Sequence, residues 1–368
     1  MAKKTQYYSL EKIDSKNCIY NVIFGERSNG KTFAVQEKGF CNFVHHGKQM
    51  ALIRRFAEDY TGKRGSATFE ALVNAGVVAR ETNGEWTDIF YQSSRWYLAK
   101  WDEKLNKRIV MDKPFCYAFS LSAGEHDKST SYPDVTTILF DEFLTRRFYI
   151  PNEFVEFMNI LSTIIRQRDD VKIYMCGNTV NQFCPYFDEM GLTNILNMKK
   201  GDIDIYEYGQ SELRVAVEYA EGFTKGKKSD KYFAFDNPKL SMITGGAWEI
   251  ALYPHLPIKY KQQDIRFVYF IYFSKNLLQC EIVRKDGLDF TFIHRKTTDL
   301  KQVKRDLIYS TEYSGLPNWS RRITAPRNSK ERKIYQYFKD EKIFYQDNTV
   351  GEVVRNYLIW SKTDGGIT

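Results

Sequence analysis

The chain has 368 residues, of which 43% are hydrophobic and 15% aromatic, and its formal net charge is +8. This composition is sufficient for the cores of two globular domains, and the charge permits a polyanionic partner without requiring one. The sequence has no apolar run near the roughly 18 residues of a membrane span and no signal-peptide core at its start, which excludes membrane-spanning classes and predicts a cytoplasmic protein.

The first predicted elements are a strand at 19–24 and a helix at 32–46, joined by a loop that fits G-x-x-x-x-G-K-T. In such a loop the glycines let the backbone approach phosphates, and the amides and the helix N-terminus face the phosphate charge. We therefore predict a site for ATP and Mg²⁺, with Lys31 on the phosphates and Thr32 on the metal. The predicted nucleotide-binding residues are Gly25, Glu26, Arg27, Ser28, Asn29, Gly30, Lys31 and Thr32.

Two adjacent acids follow a second apolar run at 137–140. Asp141 is the candidate Mg²⁺ ligand, and Glu142 is the candidate base that activates water. The alternative is an acidic strand end that faces solvent. The Asp-Glu pair favours an ATPase over a kinase.

A helix predicted at 152–168 carries one apolar face, and a strand at 171–177 follows it. Arg166 and Arg168 close the helix, where an arginine either satisfies terminal carbonyls or reaches the ATP of a neighbouring subunit as an arginine finger. Asn178 follows the strand and is a candidate γ-phosphate sensor.

Strands are also predicted at 50–54 and 115–120, and the alternation of strands and helices implies a mostly parallel sheet. The polar segment between them, about residues 56–114, is interpreted as a lid over the nucleotide. A helix is predicted at 211–222. Three antiparallel strands at 267–273, 278–284 and 289–294 and two helices at 330–338 and 350–360 predict a second α/β unit.

The remaining chemistry-bearing residues give weaker predictions. The cysteines form no C-x-x-C pair and are expected to be reduced core residues. His45 and His46 show no Cys or acidic partner at ligand spacing, so we expect no zinc site there. Two basic clusters are candidate nucleic-acid contacts, with a solvated face as the alternative; they consist of Arg146, Arg147, Lys225, Lys227 and Lys228.

The order of these motifs resembles the DNA-packaging ATPases of small phi29-like tailed phages. The resemblance covers most of the first 190 residues and is weak in the C-terminal region. The segments that carry it are residues 25–32, 53–55, 128–134, 140–143, 149–153, 166–168 and 178–187.

The resemblance implies a RecA-like (ASCE) P-loop core at 1–208, a linker at 209–246 and an RNase H-like domain at 247–368. It also implies ATP-driven translocation of double-stranded DNA into a procapsid. The expected assembly is a homo-oligomeric ring, pentameric in the best-known case, on the portal in the host cytoplasm, with a packaging RNA. It points to Arg166 as the finger that acts in trans, with Lys128 as a second residue at the subunit interface.

The C-terminal domain is predicted to lack nuclease activity, because the strand at 267–273 contains no acid. Glu281, Asp286 and Asp289 are interpreted as surface or turn residues rather than as ligands of two metal ions. Two other functions stay open at this point: a P-loop NTPase or kinase that acts on a small molecule, and a nucleotide-gated scaffold without turnover that binds nucleic acid.

Overall fold

The computed structural model describes residues 7–123, 130–209, 211–221, 251–256, 258–326 and 329–362. The chain divides into two compact units, Met1–Trp248 and Glu249–Thr368, and each unit has its own β-sheet. Among the described helices, none combines the length and the apolar character needed to cross a lipid bilayer.

The first unit is built on a sheet of ten described strands. They are β1 (Tyr20–Gly25), β2 (Gln49–Arg54), β3 (Asp88–Gln92), β4 (Arg95–Asp102), β5 (Lys107–Val110), β6 (Cys116–Ser120), β7 (Val135–Asp141), β8 (Lys172–Asn178), β9 (Ile203–Glu207) and β10 (Arg214–Tyr219). The order is β3-β4-β6-β2-β7-β8-β1-β10-β9, with β5 beside β4. The middle strands, from β6 to β10 in this order, run parallel, which confirms the predicted parallel sheet. Their apolar runs are buried, as central parallel strands require.

Helices connect these strands and carry the predicted motifs. They are α1 (Glu11–Asp14), α2 (Lys31–His46), α3 (Lys63–Ala67), α4 (Glu70–Asn74), α5 (Val77–Glu81), α6 (Glu153–Ile165) and α7 (Pro185–Glu189). The predicted helices at 32–46 and 152–168 are confirmed as α2 and α6. The helix α6 ends at Ile165 because Arg166 adopts φ 52°, which is outside the right-handed helical region.

The segment predicted as a helix at 211–222 is the strand β10, so that prediction is wrong. β10 pairs in parallel with β1, and its residues from Val215 onward are buried. The backbone hydrogen bonds that β10 forms with β1 outweigh the weak intrinsic helix propensity of this segment. The sheet therefore continues past residue 208, where we expected the nucleotide domain to end. Most of the expected linker, 209–246, lies outside the described residues.

The insertion at 56–114 packs beside α2 and widens the sheet. The hairpin of β3 and β4 joins the sheet through antiparallel pairing of β4 with β6. The helices of the insertion bury apolar side chains in the same core as α2. This shared core includes Phe40, Phe43, Phe69, Leu72, Val77 and Val78. A lid role for the insertion stays a prediction.

The second unit has a six-stranded sheet and two helices. Its strands are β11 (Ile265–Phe273), β12 (Asn276–Lys285), β13 (Leu288–Arg295), β14 (Ile308–Ser310), β15 (Trp319–Ser320) and β16 (Ile343–Tyr345). The order is β15-β14-β11-β12-β13-β16. β11 to β13 are antiparallel, as predicted, whereas β14 runs parallel to β11. The two predicted helices are confirmed as α8 (Lys330–Lys339) and α9 (Asn348–Trp360).

Candidate nucleotide-binding site

The predicted phosphate-binding loop lies between β1 and α2, at the carboxyl end of the parallel sheet. Gly30 caps α2 with φ 95°, a conformation that favours glycine. A Cβ on Gly25 would lie 3.0 Å from the carbonyl oxygen of Ala220, so this position has no room for a larger residue. The loop therefore needs its glycines for both conformation and close packing.

The ammonium group of Lys31 is buried inside this loop. Its Nζ donates to the Glu26 carbonyl oxygen at 2.6 Å and to Asn29 Oδ1 at 3.0 Å, and it lies 3.4 Å from Asn178 Oδ1. Burial lowers the pKa of Lys31 to about 8, although the Asp141 and Glu26 carboxylates oppose this shift. Asn178 thus reaches the phosphate loop from the end of β8, and its role as a γ-phosphate sensor stays a prediction.

The hydroxyl of Thr32 joins the phosphate loop to the paired acids. Thr32 Oγ1 donates to Asp141 Oδ1 at 2.7 Å, and the Asp141 side chain is buried. Asp141 Oδ2 also accepts a hydrogen bond from Arg54 at 3.1 Å. Two oxygen donors beside a phosphate loop fit Mg²⁺, which prefers oxygen ligands. Asp141 is therefore buried beside the phosphate loop, whereas Glu142 is exposed at the rim of the same cavity.

Glu142 lines the same pocket in an unusual backbone conformation. Its φ is 59°, the left-handed region that a non-glycine residue adopts rarely. Removal from water and the Asp141 carboxylate raise the pKa of Glu142, whereas Arg54 opposes the shift. A carboxylate with a raised pKa in an open pocket suits a general base.

Arg55 binds the backbone carbonyl groups of Glu142 and Phe143, a role that sequence reasoning missed. Its guanidinium forms a buried ion pair with Glu153, at 2.8 and 2.9 Å. It also donates to the Glu142 and Phe143 carbonyl oxygens, at 3.3 and 2.8 Å. The Tyr149 ring lies under the guanidinium, 5.0 Å away. Two adjacent arginines at the end of β2 were the available signal, but the sequence does not reveal their partners.

These groups surround a cavity of about 740 Å³. Arg146 and Arg147, predicted as nucleic-acid contacts, belong to its wall. Phe56 and Asp59, which belong to the insertion, also line this cavity. Arg27 completes a strongly cationic lining, as a bound triphosphate requires. The structure therefore places Arg146 and Arg147 in the wall of the cavity at the phosphate loop, and their contact with nucleic acid stays a prediction.

The two arginines after α6 have different environments. Arg168 is half-buried and donates hydrogen bonds to the carbonyl oxygens of Tyr132, Val135 and Ile164. These bonds connect the end of α6 to the segment that leads into β7 within the same chain. Arg166 is exposed, donates to the Thr130 carbonyl oxygen at 3.0 Å and is outside the lining of the nucleotide cavity. Of the two, Arg166 is the more exposed, and its role as an arginine finger stays a prediction.

Some candidate residues lie outside the described residues. They are Lys128, Lys225, Lys227 and Lys228. Their predicted roles, across the subunit interface and in nucleic-acid contact, stay predictions.

A second cavity of about 470 Å³ lies between the insertion and α6. Its lining includes the rings of Tyr91, Tyr117 and Tyr132 and the guanidinium of Arg95. Neither lysine nor carboxylate occurs among the described residues that line it. It therefore lacks the groups that hold a magnesium–triphosphate complex.

The interpretation of Glu281 as a surface residue is wrong, because its side chain is buried in the second unit. Glu281 accepts hydrogen bonds from Tyr260 at 2.5 Å and from Gln279 at 2.6 Å, and His294 Nε2 lies 3.4 Å away. Asp289 forms an exposed ion pair with Arg284. Both carboxylates are thus engaged with side chains of the protein.

A family model and sequence relatives match this chain. A family model described as podovirus DNA encapsidation protein (Gp16) matches residues 1–244. The DNA packaging protein of Bacillus phage PZA is 24% identical over 276 residues, which are 74% of this chain and 74% of that protein. The DNA packaging protein of Bacillus phage phi29 is 26% identical over 222 residues, 59% of each chain.

A solved structure extends the likeness to nearly the whole chain. A chain of the bacteriophage phi29 viral genome packaging motor assembly covers 97% of this chain and 99% of its own, with a TM-score of 0.56 and 19% identity. At this identity the comparison shows a shared fold.

Proposed function

Because this chain belongs to the podovirus DNA encapsidation protein (Gp16) family, we propose that it is an ATPase that drives double-stranded viral DNA into a procapsid. The observation that carries the proposal is the 2.7 Å hydrogen bond from Thr32 to Asp141, which joins the phosphate loop to the acidic pair. The PZA and phi29 relatives are named DNA packaging proteins, which supports the same activity.

In this proposal the phosphate loop holds the triphosphate of ATP. Lys31 would exchange its carbonyl partners for β- and γ-phosphate oxygens, and the loop amides and the N-terminus of α2 would face the remaining charge. Thr32 and Asp141 would hold Mg²⁺, which neutralises charge on the phosphates.

Glu142 is the proposed general base for the attacking water. Its raised pKa strengthens it as a proton acceptor, and its carboxylate lies in the cavity beside Asp141. Arg55 is a proposed positioning residue, because it binds the Glu142 and Phe143 carbonyl groups.

Arg166 is the proposed arginine finger, supplied by one subunit to the ATP of the next in a homo-oligomeric ring. Its exposure, and its absence from the lining of its own subunit's cavity, support action in trans. The ring would be a pentamer on the portal, with double-stranded DNA as its track and a packaging RNA as a partner.

For the C-terminal unit we propose an RNase H-like fold without nuclease activity. Three antiparallel strands flanked by a parallel strand support the fold. The hydrogen bonds that occupy Glu281 support the lack of cleavage, because a two-metal site needs several free, converging carboxylates.

The test is phosphate release by the purified chain, with and without double-stranded DNA, at two salt concentrations. We expect DNA to stimulate hydrolysis and salt to weaken the stimulation, because DNA affinity falls as ionic strength rises. A rate of ATP consumption that does not change when DNA is added, together with a phosphorylated small-molecule product, would identify a kinase. Nucleotide binding without any turnover would identify a scaffold.

A further inference from the structure

Three metal-ligating side chains meet at the end of α2 farthest from the phosphate loop. Cys41 and His45 are four residues apart on α2 and therefore share one face of the helix. Glu81, the last residue of α5, lies opposite them. The Cys41 sulfur, a His45 ring nitrogen and a Glu81 carboxylate oxygen all lie within 4.8 Å of one another. The sequence-based expectation that His45 lacks Cys or acidic partners is thus wrong.

The spacing of these atoms is close to that of a zinc site. Bond lengths of about 2.3 Å for Zn–S and about 2.0–2.2 Å for Zn–N and Zn–O place tetrahedral ligand atoms about 3.3–3.8 Å apart. His45 Nε2 and Glu81 Oε2 are 3.0 Å apart. Binding an ion would require side-chain rotations that separate His45 from Glu81 slightly and bring the three ligand atoms to this spacing.

The surroundings of Glu81 orient it for metal binding. Arg80 Nε donates to Glu81 Oε1 at 2.8 Å, and the same guanidinium donates to Glu37 Oε1 at 3.0 Å. Outer partners of this kind fix a ligand's direction and are common around bound metals.

The cluster is accessible to an ion from solvent. The His45 side chain is 50% exposed and the Glu81 side chain 20%. Cys41 is half-buried, unlike the other five cysteines, which are buried. Three protein ligands leave a fourth tetrahedral position for water.

We propose that Cys41, His45 and Glu81 bind Zn²⁺ and thereby fasten the insertion helix α5 to the phosphate-loop helix α2. Sulfur, imidazole and carboxylate together suit zinc better than Mg²⁺ or Ca²⁺, which select oxygen ligands. In this proposal the zinc cross-links two helices and keeps one water ligand, and the proposal is independent of the ATPase function.

Cobalt titration of the untagged, reduced full-length chain tests the site. Co²⁺ replaces Zn²⁺ in such sites, and its bond to a thiolate gives a sulfur-to-metal charge-transfer band. We expect this band to saturate at one equivalent and to disappear when Zn²⁺ is added. An ion bound with ATP among oxygen ligands cannot give the band, so the nucleotide site does not interfere.

Variants separate the cluster from adventitious binding. Cys41→Ala should abolish the band, and His45→Ala and Glu81→Gln should weaken cobalt binding at least tenfold. His46→Ala is the matched control, since the neighbouring imidazole is outside the cluster, and should bind as the parent does. Zn²⁺ should raise the melting temperature of the parent chain but not of His45→Ala. A parent chain without the band, or a band that survives in Cys41→Ala, would overturn the proposal.

Discussion

The buried ammonium of Lys31 is the residue on which nucleotide binding depends most directly. Burial lowers its pKa to about 8, so part of its charge is lost in mildly alkaline solution. A bound triphosphate would favour the charged form and restore a higher pKa. Between about pH 8 and the ordinary lysine pKa of about 10.4, binding must therefore take up a proton.

We accordingly predict proton uptake when ATP binds at pH 8.5 to 9.5, and none at about pH 6.5, where Lys31 is already charged. Calorimetric titrations in two buffers of different ionisation enthalpy measure the uptake. In Lys31→Arg the uptake should disappear, because arginine stays charged throughout this range. Equal heats in both buffers at pH 9 for the parent chain would contradict the assignment.

Glu142 carries the second residue-scale prediction. Glu142→Gln should reduce hydrolysis about 10²–10⁴-fold while ATP still binds, because only the proton acceptor is removed. The pKa of Glu142 is raised. As the pH is lowered, the hydrolysis rate of the parent chain should therefore begin to fall at a pH above the ordinary glutamate pKa of about 4.3. Steady-state phosphate release and nucleotide binding measure the two effects. Glu103→Gln, at an exposed turn, is the control; equal activity in both variants would exclude Glu142 as the base.

At the scale of elements, the ion pair of Arg55 with Glu153 connects three parts of the fold. Arg55 follows β2, Glu153 begins α6, and the carbonyl groups that Arg55 binds follow β7. A buried charge that loses its partner is costly, so the pair holds the exit of β7 in one conformation.

Arg55→Ala should lower the free energy of unfolding by about 3–5 kcal/mol, because Glu153 is left buried and uncompensated. Arg108→Ala removes an exposed ion pair with Asp88 and should lower the free energy of unfolding by less than about 1 kcal/mol. Urea denaturation compares the two. A double variant Arg55→Ala/Glu153→Ala that loses the sum of both single effects would show that the residues do not interact.

Most elements around the nucleotide could be predicted from the sequence, because β1, β7 and β8 are continuous apolar runs and the phosphate loop has a fixed spacing. β10 was not predictable, since its strand conformation depends on pairing with β1, nearly 200 residues earlier. The contact of Arg55 with Glu153 and the approach of Glu81 to α2 were missed because these partners are distant in sequence and meet only in the folded chain. The four-residue spacing of Cys41 and His45 was visible in the sequence and was overlooked.

At the scale of the whole molecule, the ring model requires residues of two subunits at each ATP. Chains carrying Lys31→Ala or Arg166→Ala should each be inactive alone, and their mixture should regain hydrolysis. Hydrolysis returns because a Lys31→Ala subunit still supplies Arg166 to a neighbouring subunit that binds ATP. An arginine supplied in this way accelerates hydrolysis by about 10³–10⁵. Arg108→Ala is the surface control and should retain full activity. A mixture that stays inactive would contradict action in trans.

The second unit carries a prediction of its own. The full chain with Mn²⁺ or Mg²⁺ should leave supercoiled DNA intact, because Glu281 is held by Tyr260 and Gln279. An agarose-gel nicking assay measures this. Metal-dependent nicking that Glu281→Ala abolishes would show that the domain is a nuclease.

A structure of the chain with Mg²⁺ and a non-hydrolysable ATP analogue tests the central claim most directly. We expect the β- and γ-phosphates within hydrogen-bond distance of Lys31 Nζ, with the metal contacting Thr32 and Asp141 and with Glu142 facing the γ-phosphate. An analogue bound in the aromatic cavity beside Tyr117, or absent from the phosphate loop at saturating concentration, would contradict that claim.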